Sequence, residues 1–275
     1  MNEKKFPLVS SFRDPRFLAL RSLQTYQGRS RTQRYIIEGI RHLARAVEHC
    51  APIESVFRDP SLLSNPFGQK LARRLCQQGV PGIRLSHELY RNLTLATEPQ
   101  GLGAVLRQRW IPLEQIRADR NSLWLAVESI ESPGNLGTII RTAEAAGVSG
   151  ILILNLNCDP YDPANVRATM GSLFSQKLVR CTVQEFDRWT KSNGVSVVAS
   201  SPTGLMDYKS LAYRFPTALI VGSEKQGLSD QLLETADFVV RIPMHGGCDS
   251  LNAAVATGVL LFEIAGQRVS IEQSH

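Results

Sequence analysis

The segment 242–266, IPMHGGCDSLNAAVATGVLLFEIAG, constrains the fold more than any other part of the chain. A β-type run at 237–242 leads into a loop with a glycine pair at 246–247. Ser250 then stands at a predicted N-cap, and residues 251–266 are apolar on nearly every side of the helix that they predict. A helix of this kind is buried within a fold or against another subunit. The polar loop before it is therefore predicted to lie at a strand-to-helix junction, where α/β proteins bind ligands.

Two segments upstream have the same strand–loop–helix pattern. Residues 123–128 are a continuous apolar run, typical of a buried parallel strand, and the polar loop 132–138 follows them. A second run at 217–221 leads into the loop 222–227. One such loop is equally consistent with an ordinary core helix and a glycine-rich entry. Three of them favour a ligand site, because the carboxyl ends of parallel strands meet at one edge of a sheet.

Strand and helix patterns alternate along the whole chain, which predicts an α/β protein. We predict a small basic α/β domain over 1–107, with a mobile terminus at 1–11 and a loop at 27–34. Residues 108–120 are the candidate linker. Residues 121–275 are predicted to form the second domain, a parallel sheet with helices on both faces.

Charge is divided unevenly between the halves. Residues 1–120 contain 20 Lys and Arg against 10 Asp and Glu, whereas residues 121–275 contain 11 against 15. This asymmetry favours a polyanionic partner for the first half over a merely solvated surface. Because arginine can hold phosphate with two parallel hydrogen bonds, the candidate residues for binding a nucleic acid are Arg29, Arg31, Arg34 and Arg41.

Several protein classes lack their sequence signature here. There is no apolar run of membrane-spanning length and no signal peptide pattern, so we expect a cytoplasmic protein. The five cysteines are scattered and form no CxxC pair, which indicates neither a metal site nor a disulfide framework. Neither GxxxxGK[ST] nor a GxGxxG after a strand is present, so a P-loop and a dinucleotide-binding domain are both disfavoured. The loops therefore suggest a cofactor without phosphates.

Three motifs resemble those of the SpoU/TrmH-type RNA 2′-O-ribose methyltransferases, a family of the SPOUT superfamily. They are ESIESPGNLGTIIRTAEAAG at 128–147, ALIVGSEKQGLS at 218–229 and IPMHGGCDSLNAAVATGVLLFE at 242–263. The segment DPYDPANVRATMGSLF at 159–174 is similar to the family's intermediate segment, with Thr169 where many relatives have Ser. The first domain resembles the family's N-terminal substrate-binding domain, which is similar to a small ribosomal-protein fold.

This resemblance implies a deep trefoil knot near the C-terminus, S-adenosylmethionine bound in the knotted loops, and a homodimer. Matched position by position, it implies the catalytic residues Asn135, Arg141, Glu224, Ser250 and Asn252. It implies cofactor contacts from Gly222, Ser223, Ile242, Met244, Ser250 and Leu251. No metal is expected.

The chemistry assigned to Arg141 can be weighed from first principles. In families of this type the arginine has been cast as the base that removes the hydroxyl proton. Arginine is effectively never deprotonated in proteins, so we interpret Arg141 as a phosphate anchor and a stabiliser of the developing alkoxide. A surface ion pair is the alternative interpretation. His245 and Cys248, in the third loop, are interpreted as bystanders.

The sequence therefore predicts S-adenosylmethionine-dependent methylation of a ribose 2′-hydroxyl, with ribosomal RNA favoured over transfer RNA. Two alternatives belong to other classes. One is a non-catalytic RNA-binding protein with a decayed knot domain, against which the intact motif residues argue. The other is a nucleotide-dependent oxidoreductase, which the missing GxGxxG disfavours.

Overall fold

The computed structural model describes residues 6–155, 158–223 and 225–273, with side chains described as far as residue 269. The chain divides into two compact units. The first comprises Met1–Gln108 and Pro160–Phe174, and the second Arg109–Asp159 and Ser175–His275. Both are α/β in composition, as the sequence predicts.

The first unit opens with ten elements. In chain order they are β1 (Leu8–Val9), α1 (Pro15–Ser22), α2 (Tyr26–Thr32), β2 (Arg34–Glu38), α3 (Ile40–Glu48), β3 (Ile53–Arg58), α4 (Pro66–Gln77), β4 (Gly82–Leu85), α5 (His87–Leu93) and β5 (Leu102–Arg107). The described strands form a mixed sheet in the order β1-β4-β3-β5-β2. Strand β4 pairs in parallel with β1 and β3, whereas β5 is antiparallel to β2 and β3.

Two expectations for the N-terminal region are wrong. Residues 8–9, predicted as part of a mobile terminus, form a sheet strand, and Val9 is buried. Residues 27–34, predicted as a loop, lie largely within helix α2, which Thr25 caps by accepting a hydrogen bond from the Gly28 amide at 3.2 Å. Gly28 suggested a loop, but it allows close packing instead: a Cβ there would lie 1.9 Å from the Ser22 carbonyl oxygen.

The rest of the chain contributes twelve elements. In chain order they are β6 (Leu123–Val127), α6 (Asn135–Ala145), β7 (Gly150–Leu154), α7 (Pro163–Ala168), β8 (Leu178–Cys181), α8 (Val183–Asn193), β9 (Ser196–Ser200), β10 (Met206–Asp207), β11 (Thr217–Val221), α9 (Asp230–Thr235), β12 (Phe238–Arg241) and α10 (Ala253–Gln273). Helix α7 belongs to the first unit. The described strands of the second unit form one parallel sheet in the order β10-β12-β9-β11-β6-β7-β8. This confirms the predicted parallel architecture.

The segment predicted as a linker packs into the second unit. Ile116 is buried in the same apolar cluster as Trp124 and Trp189, whose rings meet edge to face at 5.1 Å between centroids. The guanidinium of Arg180 lies 3.7 Å from the ring centroid of Trp110. These contacts bury apolar area, so residues from 109 onward stabilise the second unit and do not act as a free tether.

Residues 160–174, expected in the second domain, pack within the first unit. The guanidinium of Arg29 donates to the Asp162 carboxylate at 3.0 Å. The ring centroids of Tyr35 and Tyr161 are 4.5 Å apart. Both contacts join residues far apart in sequence, which is why sequence order did not reveal them.

Among the residues described, no helix combines the length and the apolar character that crossing a membrane requires.

Candidate functional site

The three polar loops follow strands that lie close together in the second sheet. Strands β6 and β11 are neighbours, with Val127 in register with Val221, and β12 is separated from β11 by β9 alone. All are parallel, so their loops leave from the same edge. Helix α10 follows the third loop and packs beside helix α6, which follows the first loop. The Arg268 guanidinium on α10 donates a hydrogen bond to the Gly147 carbonyl, just after α6, at 3.1 Å. The three loops therefore gather at one edge of the sheet, as predicted.

A buried carboxylate joins the first loop to the second. Glu128 directly follows β6 and is 7% exposed. Its Oε2 accepts a hydrogen bond from the Ser229 backbone amide at 2.9 Å, and its own amide donates to the Val221 carbonyl at 2.9 Å. A buried charge is tolerated where hydrogen bonds satisfy it. Glu128 thus holds the beginning of one loop against the end of the other.

The second loop is a tight turn. Ser223 and Gly227 exchange two backbone hydrogen bonds, at 3.0 and 3.1 Å, and the Ser223 hydroxyl accepts from the Gln226 amide at 2.9 Å. A Cβ on Gly222 would lie 2.2 Å from the Gly227 carbonyl oxygen, so glycine is required there for this close approach. Glu224, a predicted catalytic residue, lies outside the described residues.

The third loop keeps its backbone unpaired. No hydrogen bond joins the backbone of residues 242–251 to another residue that the structure describes. Ile242 and Met244 are half-buried, whereas Ser250 and Leu251 are exposed. A Cβ on either Gly246 or Gly247 would meet nothing within 4 Å. Because backbone N–H and C=O groups are strong hydrogen-bonding groups, this loop can offer several of them to a bound molecule.

The N-cap of the last helix differs from the prediction. Helix α10 begins at Ala253, and Asn252 is its cap: the Asn252 side-chain oxygen accepts from the Ala254 amide at 3.0 Å. Ser250, predicted as the cap, lies two residues earlier in the exposed loop. The expected cap is wrong because Leu251 stays outside the helix and Asn satisfies the first amides as well as Ser does.

Asn135 and Arg141 both lie on helix α6. Asn135 is the first residue of the helix and is half-buried, and Arg141 is exposed. Six residues separate them, so their side chains leave the helix about 120° apart and about 9 Å apart along its axis. Arg141 forms no ion pair with a described residue, which argues against the alternative interpretation as a surface salt bridge. Its charge is available to a partner outside the unit.

Three further groups with side chains capable of acid–base or nucleophilic chemistry lie in or near these loops: Cys158, His245 and Cys248. Cys158 is buried and accepts a hydrogen bond from the Ile130 amide at 3.0 Å, and burial raises the pKa of its thiol, so it stays neutral beneath the first loop. His245 and Cys248, interpreted from the sequence as bystanders, are exposed in the third loop.

The four arginines predicted to bind RNA are not equivalent. Arg29 is 2% exposed and bonded to the Leu23 carbonyl and to Asp162, so it stabilises the fold and does not present a charge to solvent. This corrects its assignment as an RNA contact. Arg34 is exposed but forms an ion pair with Glu54, which Arg107 also contacts at 2.7 Å. Arg31 and Arg41 are exposed.

Sequence reasoning did not single out the Glu128–Ser229 contact. One feature of the sequence could have indicated it: a carboxylate stands immediately after a fully apolar strand, where a buried charge requires a hydrogen-bonding partner. The identity of that partner depends on the order of strands in the sheet, which the local pattern does not contain.

Comparison with known proteins extends over both units. The model of the SpoU rRNA Methylase family matches residues 122–262, and that of the MRM3-like substrate binding domain matches residues 14–104. The 23S rRNA (uridine(2479)-2′-O)-methyltransferase of Streptomyces viridochromogenes is 31% identical over 249 residues, covering 88% of this chain and 86% of the relative. The 23S rRNA (guanosine(2553)-2′-O)-methyltransferase RlmP of Bacillus subtilis is 27% identical, covering 94% of this chain and 99% of the relative.

Solved structures agree with these relatives. An AdoMet-bound rRNA methyltransferase from Sinorhizobium meliloti superposes with a TM-score of 0.86 at 32% identity, covering 94% of this chain and 97% of the other. The SpoU methyltransferase AviRb from Streptomyces viridochromogenes, in complex with AdoMet, has a TM-score of 0.84 at 30% identity, covering 94% and 99%. With the family model matching more than half of its length, the chain belongs to the SpoU rRNA methylase family.

Proposed function

We propose that this protein transfers a methyl group from S-adenosylmethionine to a ribose 2′-hydroxyl of 23S ribosomal RNA. One arrangement carries the proposal. The loop at 242–251, whose backbone forms no hydrogen bond with another described residue, follows a strand at the same sheet edge as the loop that precedes the exposed Arg141. The relatives named above are 23S rRNA 2′-O-methyltransferases, and two similar structures contain AdoMet.

The residues at the sheet edge fit this cofactor. It carries no phosphate, and the loops lack a phosphate-binding signature. The free backbone groups of the third loop, including those of Ile242, Met244 and Leu251, would hold its adenosine and amino acid parts. Gly222 and Ser223 would form the neighbouring wall, and Ser250 would reach the same space. When bound, S-adenosylmethionine supplies a sulfonium methyl group that needs no activation.

The protein's own task is to orient the hydroxyl and stabilise the charge that develops on it. Positioning two reactants contributes up to about 7–11 kcal/mol to a bimolecular step. Asn135 and Ser250 are assigned to orient the hydroxyl, with Glu224 and Asn252 completing the set. Arg141 stays protonated, so we assign it to hold a phosphate and to stabilise the alkoxide as the proton leaves for solvent. No metal is required for this reaction.

The first unit is proposed to bind RNA electrostatically. The first 120 residues contain 20 Lys and Arg, and the side chains of Arg31 and Arg41 are exposed to solvent. Arg34 is assigned a lesser part because Glu54 already neutralises it. Since ribosomal RNA is the proposed substrate, we propose that the protein acts in the cytoplasm.

A homodimer is proposed through helix α10. Val255, Phe262 and Val269 recur every seven residues, or about two turns, and are 53%, 56% and 46% exposed. They form an apolar stripe on the single chain, and a stripe of this kind is typical of a helix that packs against another subunit. A second copy of the chain is the proposed occupant, since the same stripe can pack against itself about a twofold axis.

The test is mass spectrometry of ribosomal RNA nucleosides from a strain that lacks the gene. We expect one 2′-O-methylnucleoside to disappear from a single 23S rRNA fragment and to return with the gene. If a methyl group is lost from transfer RNA and not from ribosomal RNA, the substrate is transfer RNA, as in the alternative. An unchanged profile of both RNAs, with purified protein that binds no S-adenosylmethionine, would favour a non-catalytic RNA-binding protein.

A further inference from the structure

A cavity of about 290 Å³ lies within the first unit. Strand β2, the N-terminus of α3, the loop that follows α5 and helix α7 surround it. Its apolar walls include Ile36, Leu93 and Val166, and its polar lining includes Glu38 and His42. Its size is at the small end of the range for ligand pockets, which is roughly 300–1,000 Å³. There is room for a single flat group and not for a nucleic-acid strand.

His42 gives this cavity an unsatisfied polar group. The side chain is on helix α3 and the residue is 8% exposed, yet its Nε2 has no hydrogen-bond partner among the residues that the structure describes. Burial lowers the pKa of His42, while the carbonyl groups of Arg167 and Glu38 act in the opposite direction. A buried polar atom without a partner costs about 1–3 kcal/mol, so it calls for an explanation. A ligand with a polar edge would satisfy it.

Two carboxylates, Glu38 and Glu98, and two arginines also line the cavity. The hydroxyl of Thr94 donates to Glu38, and burial raises the pKa of the Glu38 carboxyl. Arg41 and Arg167 are exposed and also line the cavity. The cavity therefore has apolar walls and hydrogen-bonding groups, and on its solvent side the two arginines outnumber the exposed carboxylate of Glu98.

The loop 94–101 is fastened on both sides of the cavity. Arg167 donates to the Leu95 carbonyl at 2.6 Å, and the Gln100 side chain accepts from the Ile40 amide at 2.8 Å. Met170, also in the lining, has a φ of 53°, a left-handed backbone conformation that non-glycine residues rarely adopt. Residues held in such conformations cluster at binding sites, where the surrounding structure enforces them. The cavity is thus a preformed feature of the unit.

We propose that this cavity receives one unpaired nucleobase of the RNA substrate. A base has two apolar faces and an edge of hydrogen-bond donors and acceptors, and RNA is recognised chiefly through such splayed bases. Its faces would contact Ile36, Leu93 and Val166, and its edge would reach Glu38 and the free nitrogen of His42. Arg41 and Arg167 would hold the attached phosphates. The inference rests on the proposed RNA substrate, but it concerns a site that is separate from methyl transfer.

The test measures binding of small probes to the full-length protein by calorimetry. The probes are the four nucleoside 5′-monophosphates and ribose 5-phosphate, which lacks a base. The protein is saturated with S-adenosylhomocysteine, so the cofactor site cannot accept a nucleotide. We expect at least one nucleotide to bind about tenfold more tightly than ribose 5-phosphate, which is the effect of one or two hydrogen bonds at about 1 kcal/mol each. Equal affinities would mean that the arginines hold phosphate alone, which would overturn the proposal.

Two histidines of one helix region provide a matched pair of variants. His42→Phe keeps a flat ring but removes the polar edge, whereas His49→Phe makes the same change at a second unpaired nitrogen outside the cavity. We expect about fivefold weaker nucleotide binding for His42→Phe, the effect of one lost hydrogen bond, and no change for His49→Phe. If His42→Phe does not fold, Glu38→Gln replaces it as the cavity variant that is compared with His49→Phe. An equal response of both histidine variants would contradict the proposal.

The outcome is distinguishable from that of the proposed function. Methylation of 23S rRNA by the wild-type protein is measured in parallel. An active enzyme that binds none of the four nucleotides contradicts the cavity assignment alone. An inactive protein that still binds a nucleotide through His42 contradicts the proposed methylation alone.

Discussion

The Glu128 carboxylate accepts a hydrogen bond from the Ser229 amide at 2.9 Å, although 101 residues separate them in the chain. Glu128 directly follows the first strand of the candidate site, and Ser229 lies between the second loop and helix α9. Their contact fixes the relative position of two loops that are assigned to one cofactor. A change at Glu128 should therefore affect a site that its side chain does not enter.

Glu128→Ala is expected to weaken S-adenosylmethionine binding by about tenfold or more. A hydrogen bond to a charged acceptor contributes about 1.5–3 kcal/mol, and about 1.4 kcal/mol corresponds to a factor of ten. Glu128→Gln keeps an acceptor oxygen and should lose less. Calorimetric titration with the cofactor is the measurement. Glu131→Ala, an exposed carboxylate of the same loop, is the control, and an equal loss in that variant would contradict the role given to Glu128.

The fold could be predicted in large part because its sheet is buried. The strands β6, β11 and β12 are apolar runs whose period and composition identify them without tertiary information. Helix α1 also carries local signals in its sequence, because Asp14 caps it and Pro15 is its first residue. Helix α2 was not predicted from the sequence. Glycine usually indicates a loop, but in the fold Gly28 allows the helix to pack closely against Ser22.

The site was only partly predictable for a related reason. Which strands and loops stand together followed from the parallel pattern, so the shared edge was expected. The ion pair between Arg29 and Asp162 was not expected, because the sequence does not distinguish an exposed arginine from a buried one. The cavity beside His42 needs residues from α3, α5 and α7 at once, and no local pattern contains that arrangement.

Asn252 is expected to contribute to stability as well as to turnover. Its side chain caps α10, and replacing such a cap by alanine costs about 0.5–2 kcal/mol. Asn252→Asp retains the capping oxygen and should keep the thermal midpoint of the wild type, whereas Asn252→Ala should lower it. Calorimetric unfolding of both variants is the measurement. Equal midpoints in the two would show that the cap does not stabilise the helix.

Arg31 and Arg41 are expected to carry part of the RNA affinity through phosphate contacts. Each phosphate contact on a single strand contributes about 0.7 to the slope of log affinity against log salt concentration. Replacing both arginines by alanine should therefore flatten the slope by about 1.4. RNA affinity is measured at several salt concentrations. Arg29→Ala is the control: it changes a buried arginine, so it should lower stability but leave the salt dependence of RNA binding by the folded protein unchanged. If the Arg31/Arg41 double variant keeps the wild-type slope, these two arginines do not contact phosphate.

Phe262→Asp is expected to convert a dimer into monomers. The substitution places a charge in the centre of the apolar stripe on α10, where dimer formation would bury it without a partner. Sedimentation velocity gives the oligomeric state directly. Phe67→Asp is the matched control, because Phe67 is 58% exposed on α4. A wild type that sediments as a monomer would contradict the proposed dimer outright.

Arg141→Ala is expected to abolish methyl transfer while cofactor affinity changes by no more than a few-fold. The side chain is exposed on α6, and its assigned partners are the RNA phosphate and the alkoxide. Arg141→Lys keeps the charge but loses the bidentate geometry, so it should retain partial activity. A folded Arg141→Ala protein that no longer binds the cofactor would show that the assignment to substrate is wrong.

The most direct test of ribose methylation uses S-adenosylmethionine with a labelled methyl group and 23S ribosomal RNA that lacks its modifications. Alkali cleaves RNA through the free 2′-hydroxyl, so a methylated ribose protects the bond beside it. After complete alkaline hydrolysis, we predict that the label is recovered in a dinucleotide, and that Arg141→Ala yields none. Label recovered in mononucleotides would place the methyl group on a base and would contradict the account.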